Sequence, residues 1–193
     1  MKSNAELIEL KDVNTNLLNL FLEPYKDDCK YLQKAYFSNS QAQKNHENQS
    51  LWVIKGDFAI PESCYISATG HFNSVEFNIC YNQLFYIMIA YLLDNHLLAV
   101  MQDWDLETYK RRQLSNFLIV KFSSIFRRPI NPSKFQGTLS INKSSVRGNL
   151  IILKTTCNFS DNQDGWSEGD ITIAVLNSEP ELNLDNSPES VSV

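Results

Sequence analysis

The run LFYIMIAYLL, Leu84 to Leu93, places ten residues in a row without a charge. It has no face to offer water. Ten residues are about half of what a helix needs to cross a bilayer. A strand of this length is possible, but Asn82-Gln83 before the run and Asp94-Asn95 after it read as helix ends rather than hairpin turns, so a deeply buried helix is expected. A helix that is apolar all round must be enclosed, and the chain downstream can enclose it. FLIVKFSSIF, KFQGTLSINK, NLIILKTTCNF and DITIAVL are β-rich and separated by the turn-like RRPINPS, SSVRG and SDNQDGWSEG. Upstream, LWVIKGDFAIP, Leu51 to Pro61, reads as another strand. The expectation is an α+β chain in which an antiparallel sheet, its last four strands a meander, wraps a long buried central helix. Such a layer predicts association through an edge strand or open face, as a homo-oligomer of two or more copies.

The N-terminal part reads as helical. Leu7, Leu10, Val13, Leu17, Leu20 and Phe21 recur at three- and four-residue spacing, which predicts a helix over 4–22 that Pro24 stops. A shorter helix is expected over 27–37, a polar loop over 38–50, and a helix or loop over 103–113. The organisation expected is one domain, 1–176, whose first 50 residues are N-terminal helices and a loop, followed by a disordered acidic tail over 177–193. The opening MKSNAELIELKDVN lacks the apolar core of a signal peptide, so a cytoplasmic protein is expected. Cys29, Cys64, Cys80 and Cys157 form no CxxC and have no neighbouring His in a zinc pattern; free thiols and no metal site are expected.

The net charge of −5 conceals an asymmetry. Between Thr108 and Ser160 stand ten Lys and Arg residues and no Asp or Glu. These bases either balance acids from elsewhere in the fold or face an acidic partner, such as a carrier protein or a coenzyme A phosphate. Nucleic acid is not expected as a partner. The block lacks a glycine-flanked aromatic motif, and Phe117, Phe122, Phe126 and Phe135 fit strand cores.

The densest polar chemistry lies just before the apolar run. CYISATGHFNSVEFNICYNQLFY, Cys64 to Tyr86, gathers Tyr65, Thr69, His71, Asn73, Glu76, Asn78, Tyr81, Asn82 and Gln83. Burying so many hydrogen-bonding groups without partners is costly, and lining a cavity explains them better. His71 follows Gly70 and is one of three histidines; an imidazole there can take a proton near neutral pH, or it can simply be satisfied by backbone groups.

The string Tyr65-Ile66, Thr69-Gly70-His71-Phe72-Asn73, Glu76-Phe77, Tyr81-Asn82-Gln83 resembles the signature of the FcoT-like thioesterase family, over about residues 24–176. The resemblance implies a hotdog fold and acyl-thioester chemistry. Members include long-chain fatty acyl thioesterases, and enzymes that add glycine to an α,β-unsaturated acyl thioester and then hydrolyse it. The family's polar site residues fall on Tyr65, Asn73 and Asn82, with an N-terminal tyrosine corresponding to Tyr31 or, with poorer spacing, Tyr36. His71 matches the base of the glycine-adding members. Gly70-His71-Phe72 is also similar to a hotdog dehydratase motif, but those enzymes pair the histidine with a helix carboxylate, and Asn82 to Leu93 contains none.

The resemblance therefore implies His71, Asn82, Tyr65 and Asn73 as the catalytic set. Tyr31, Glu76, Asn78, Phe85, Tyr86 and Ile89 are expected to contact substrate. The acyl chain would lie along the buried helix on an acyl carrier protein or coenzyme A, with glycine as second substrate and no cofactor beyond the carrier. Donors for the developing oxyanion would be the Asn82 amide or a backbone N–H at the helix start. Hydrolysis of a long-chain acyl thioester without glycine is the alternative, and a non-catalytic binding module is a third.

Overall fold

The structure is a computed structural model that describes residues 10–38, 52–67 and 70–177. Along the chain run β1 (Leu10–Asp12), α1 (Thr15–Leu22), a 3-10 turn (Asp27–Cys29), β2 (Leu32–Ser38), β3 (Trp52–Phe58), α2 (Ser74–Asp94), α3 (Leu106–Arg112), β4 (Phe117–Arg128), β5 (Phe135–Arg147), β6 (Leu150–Ser160) and β7 (Trp166–Leu176). The seven strands form one antiparallel sheet in the order β1-β2-β3-β5-β6-β7-β4. The sheet packs its inner face on α2, which is the hotdog arrangement.

The apolar run is helical and enclosed as expected. Phe77, Cys80, Leu84, Ile87, Met88, Ile89, Ala90 and Leu92 are all fully buried. The helix, however, begins at Ser74, well before the expected start at Asn82-Gln83, and extends for about 31 Å. Its start signal is a capping box: Asn73 Oδ1 accepts from the N–H groups of Val75 and Glu76, and Glu76 Oε2 accepts from Asn73 N–H at 3.1 Å. No helix among the described residues is long and apolar enough to cross a membrane.

The inner face of the sheet is thinned where α2 and the aromatic cluster press on it. Gly56 and Gly137 stand opposite each other on β3 and β5. A Cβ on Gly137 would lie 2.6 Å from the Phe159 ring, and one on Gly56 would lie 2.6 Å from Leu32 Cδ1. Phe58 stacks on Phe135 at 5.4 Å and meets Phe159 edge-on at 5.5 Å across this gap. Gly169 of β7 does the same for Phe77 of α2.

Three expectations are corrected. The N-terminal helix is shorter than 4–22: Asn14 caps it by accepting from Asn16 N–H at 2.8 Å, and the residues before it pair as β1 with β2. Residues 1–9 lie outside the described residues. The second helix, expected over 27–37, is only a 3-10 turn followed by β2, because the hydrogen bonds of that segment go to β3 (Phe37 opposite Ile54). Nor do the last four strands form a simple meander. β4 pairs with β7, so the chain between β4 and β5 crosses the end of the sheet. Most of the 38–50 loop, and 178–193 of the expected tail, lie outside the described residues. Asn177 is held, accepting from Trp104 Nε1 at 2.7 Å.

Replacing Gly137 by Val should push a branched side chain into the Phe58–Phe159 contact and cost about 1–3 kcal/mol. Urea unfolding measures this; an unchanged midpoint would mean that the close approach is not required.

Candidate functional site

The crossing segment after β4 builds the floor of the site. Ile130 C=O accepts from Phe72 N–H at 3.1 Å, and Pro132 C=O accepts from Ile60 N–H at 2.8 Å. Asp161 secures that segment from the other side, accepting from Asn131 N–H at 2.7 Å, Gln163 N–H at 2.8 Å and Gly165 N–H at 2.9 Å. Those amides hold its carboxyl below the usual carboxylate range. Phe72 is locked from beneath by Phe135 and Phe159, at 4.9 and 5.1 Å between ring centroids. His71 and Asn73, its neighbours in sequence, are thus held at the mouth of α2.

Above this floor lies a cleft of about 370 Å³, bounded by His71, Phe72, Asn73 and Ser74 on one side and Phe126, Arg127, Arg128 and Pro129 on the other. His71 is exposed. Tyr65, exposed on the preceding loop, donates its hydroxyl to Asn73 Oδ1 at 2.7 Å. That oxygen also caps Val75 and Glu76, so it is fully engaged, and the amide NH₂ is the part of Asn73 suited to a substrate oxygen. Glu76 is 3% exposed and serves the cap. Because α2 begins at Ser74, Glu76 is a helix carboxylate, in the first turn and ahead of the acid-free stretch 82–93.

Tyr31 lies behind this group, 1% exposed. Its hydroxyl accepts from Cys64 N–H at 3.0 Å, beside Tyr65. Burial pushes its phenol above the ordinary value, so it stays neutral. Tyr36 is directed elsewhere, donating to Asp57 Oδ2 at 2.8 Å. Cys29 and Cys64 form a disulfide, which corrects the expectation of four free thiols; Cys80 and Cys157 are free and buried. The bridge, the Tyr31 hydrogen bond and Gln83 together pin the loop carrying Tyr65 to α2. Gln83 is fully buried, accepting from Tyr31 and Leu32 N–H and donating to Cys29 C=O at 2.6 Å. It is a clip between elements, not a cavity wall. Tyr81 is likewise satisfied inside, sharing a 2.9 Å hydrogen bond with Thr155 Oγ1.

Asn82 is not in the His71 cluster. Nine residues beyond Asn73 places it about 13 Å farther along the helix axis, and its amide donates to Asn78 Oδ1 at 2.8 Å. The expectation that Asn82 marks the helix start is therefore corrected. Asn78, Asn82 and Tyr86, at four-residue spacing, form a half-buried stripe along α2, with Tyr25 6.4 Å from Tyr86 at its far end. Phe85 and Ile89 are packed in the core beside it, 1% and 0% exposed. Thr69 lies outside the described residues. Among the described residues no group of three His, Cys, Asp or Glu could hold a metal.

Sequence reasoning missed the arginine pair in the cleft wall, because RRPINPS reads locally as a turn. Part of the acid-free block is balanced from outside it: Lys110 pairs with Glu23 at 2.8 Å, Arg127 with Glu168 at 3.2 Å and Arg128 with Asp164 at 3.3 Å.

Two outcomes test this geometry. Asn73→Ala should lose the cap and about 0.5–2 kcal/mol of stability. Asn73→Asp should keep the cap while removing the amide donor, so thermal unfolding should be near normal and turnover low; normal turnover in Asn73→Asp would remove the amide from the chemistry. Separately, alkylation of unfolded, unreduced protein should label Cys80 and Cys157 only, and mass spectrometry showing four labels would exclude the bridge.

The model of the FcoT-like thioesterase domain matches residues 20–175. A (2E)-enoyl-[ACP] glycyltransferase of Streptomyces coeruleorubidus is 38% identical over 166 residues, 83% of this chain and 96% of its own. Proteins of the same name from Mycobacterium tuberculosis and Mycobacterium marinum are 38% and 35% identical, each alignment covering 86% of the relative, with 83% and 84% of this chain covered. A Shewanella oneidensis structure described as a candidate thioesterase superposes with a TM-score of 0.48 at 8% identity, covering 83% of this chain and 96% of that one. With its sheet-wrapped helix and a family match running from α1 to β7, the chain belongs to the FcoT-like thioesterase family.

Proposed function

We propose that this protein adds glycine to the β-carbon of an α,β-unsaturated fatty acyl thioester on an acyl carrier protein, then hydrolyses the thioester to release a 3-(carboxymethylamino) fatty acid. The observation that carries this reading is the 38% identity, over most of both chains, to relatives named for glycyl transfer to an enoyl-carrier substrate. The site is compatible with it: a histidine and an amide donor share one open cleft at a helix mouth, and a phenol bonded to the amide oxygen supports the donor.

In the first step His71 takes a proton from the glycine ammonium. The freed lone pair forms the C–N bond at the β-carbon, and the alkene electron pair shifts towards the thioester oxygen. The Asn73 NH₂ stabilises the resulting enolate, and Tyr65 and the capped helix end hold that amide in place. The imidazolium then returns its proton to the α-carbon. In the second step His71 takes a proton from water, whose oxygen attacks the thioester carbon. The tetrahedral oxyanion collapses with cleavage of the C–S bond, and the leaving sulfur takes the proton. The acyl chain follows the stripe of Asn78, Asn82 and Tyr86, with Phe85 and Ile89 forming its apolar backing. Tyr31 and Glu76 position the loop and the helix end.

The reaction uses no cofactor beyond the phosphopantetheine arm or coenzyme A bearing the acyl group. It belongs in the cytoplasm, where the Cys29–Cys64 bridge would face a reducing thiol pool. The working unit is a homo-oligomer: β4 ends the sheet beyond β7, and Leu118, Val120, Ile125 and Phe126 on it are 44%, 58%, 46% and 41% exposed.

Incubating an enoyl-carrier thioester with the protein, with and without glycine, and weighing the products tests the reading. A free acid heavier by one glycine is expected only when glycine is present. Cleavage without any glycine adduct would point to plain thioester hydrolysis, and no cleavage at all would sink the enzyme reading. His71→Ala should lower both steps by about 10²–10⁴-fold; full activity would exclude His71.

A further inference from the structure

The proposed addition leaves one charge unaccounted for, the carboxylate of the incoming glycine. The amine nitrogen and the carboxyl carbon of glycine are only about 2.5 Å apart. Whatever holds the carboxylate must therefore share a cleft with the base that deprotonates the amine. Of the ten Lys and Arg residues of the acid-free block, Arg127 and Arg128 line the cleft that contains His71.

Two consecutive strand residues ordinarily point to opposite faces of a sheet. Here the β4–β7 register slips between Phe126 and Arg128, so Arg127 sits in a bulge and both residues reach the same cleft wall. Each guanidinium has a carboxylate neighbour, but through one nitrogen only. Arg127 Nη2 meets Glu168 at 3.2 Å and Arg128 Nη1 meets Asp164 at 3.3 Å, with the arginine side chains 60% and 65% exposed. Such solvent-exposed pairs are weak, and a guanidinium has five N–H donors, so each retains donors for a second acceptor. The two acids therefore leave both forks with donors available. Across the cleft, Ser74 opens a helix of 21 residues, whose N-terminal end adds a partial positive charge.

We infer that Arg127 and Arg128 form the carboxylate clamp for the amino acid co-substrate, making this site selective for an α-amino acid over a simple amine. The inference rests on the glycine-addition reading. A planar guanidinium matches a carboxylate with two parallel N–H···O bonds, which fixes the amine towards His71 and the β-carbon. The bulge at Arg127 thus acts as a specificity device.

Steady-state kinetics of the full-length protein test it, with glycine or glycinamide varied at saturating enoyl-carrier thioester and, in a second series, the thioester varied at saturating glycine. Wild type should prefer glycine strongly. Arg127→Gln and Arg128→Gln should raise KM for glycine about tenfold to a hundredfold and erase the preference over glycinamide. Arg127→Lys and Arg128→Lys, which keep charge but not the fork, should recover part of the loss. Thermal unfolding confirms that each variant folds. An unchanged KM for glycine in both Gln variants, or a rise in KM for the thioester instead, overturns the clamp; the second result would assign the pair to the carrier's phosphate. Absence of any glycine adduct with wild type would sink the function reading itself, a result distinguishable from either.

Discussion

A long helix with no polar side over most of its length can persist in water only when other elements enclose it, and this is the constraint from which the rest of the molecule follows. The sheet covers one side of α2 with buried residues of β2, β3, β5, β6 and β7, and α1 and α3 pack against the helix as well. Enclosure also sets a problem at the helix end. The first N–H groups of a helix have no partner within it, and at the entry to a packed core they need one. Asn73 and Glu76 supply it reciprocally. That requirement puts an amide, and beside it a histidine, at an opening in the protein.

The same opening is shaped from behind by elements far away in sequence. Gln83 clips the 29–32 segment to α2. Tyr31 and the Cys29–Cys64 bridge then carry that anchorage to the loop with Tyr65, while the crossing segment from β4 to β5 carries Phe72. The site is thus anchored on its helix and floor sides, with the arginine pair in the facing wall.

Much of this was legible in the chain. The uninterrupted apolar run announced its helix, and the four alternating segments after it announced strands that need a common partner. The 64–83 motif concentrates polar residues, and of these Tyr65, His71 and Asn73 lie together at the mouth of α2. The errors have physical causes. The apolar run marks only the later part of α2, and the start signal lies ahead of it, in Asn73 and Glu76 three residues apart. Segment 27–37 reads as helical because its strand character depends on pairing with β3, which no local pattern contains. Gln83 and Tyr81 resembled cavity polar groups because their buried partners, Cys29 C=O and Thr155, lie 54 and 74 residues away.

What the sequence by itself determined is therefore the class of fold and the neighbourhood of its chemistry, since burial of an apolar run and the hydrogen-bonding needs of a polar cluster are local properties of the residues. The tertiary structure decided which members of that cluster meet. It placed Asn82 about 13 Å along α2 from Asn73, gave Glu76 to the helix cap, joined Cys29 to Cys64, and ordered β4 beyond β7. It also brought Arg127 and Arg128 across the cleft from His71. Strand order and a single register slip are non-local facts: they depend on which strands hydrogen-bond to which, and no short stretch of sequence contains that information.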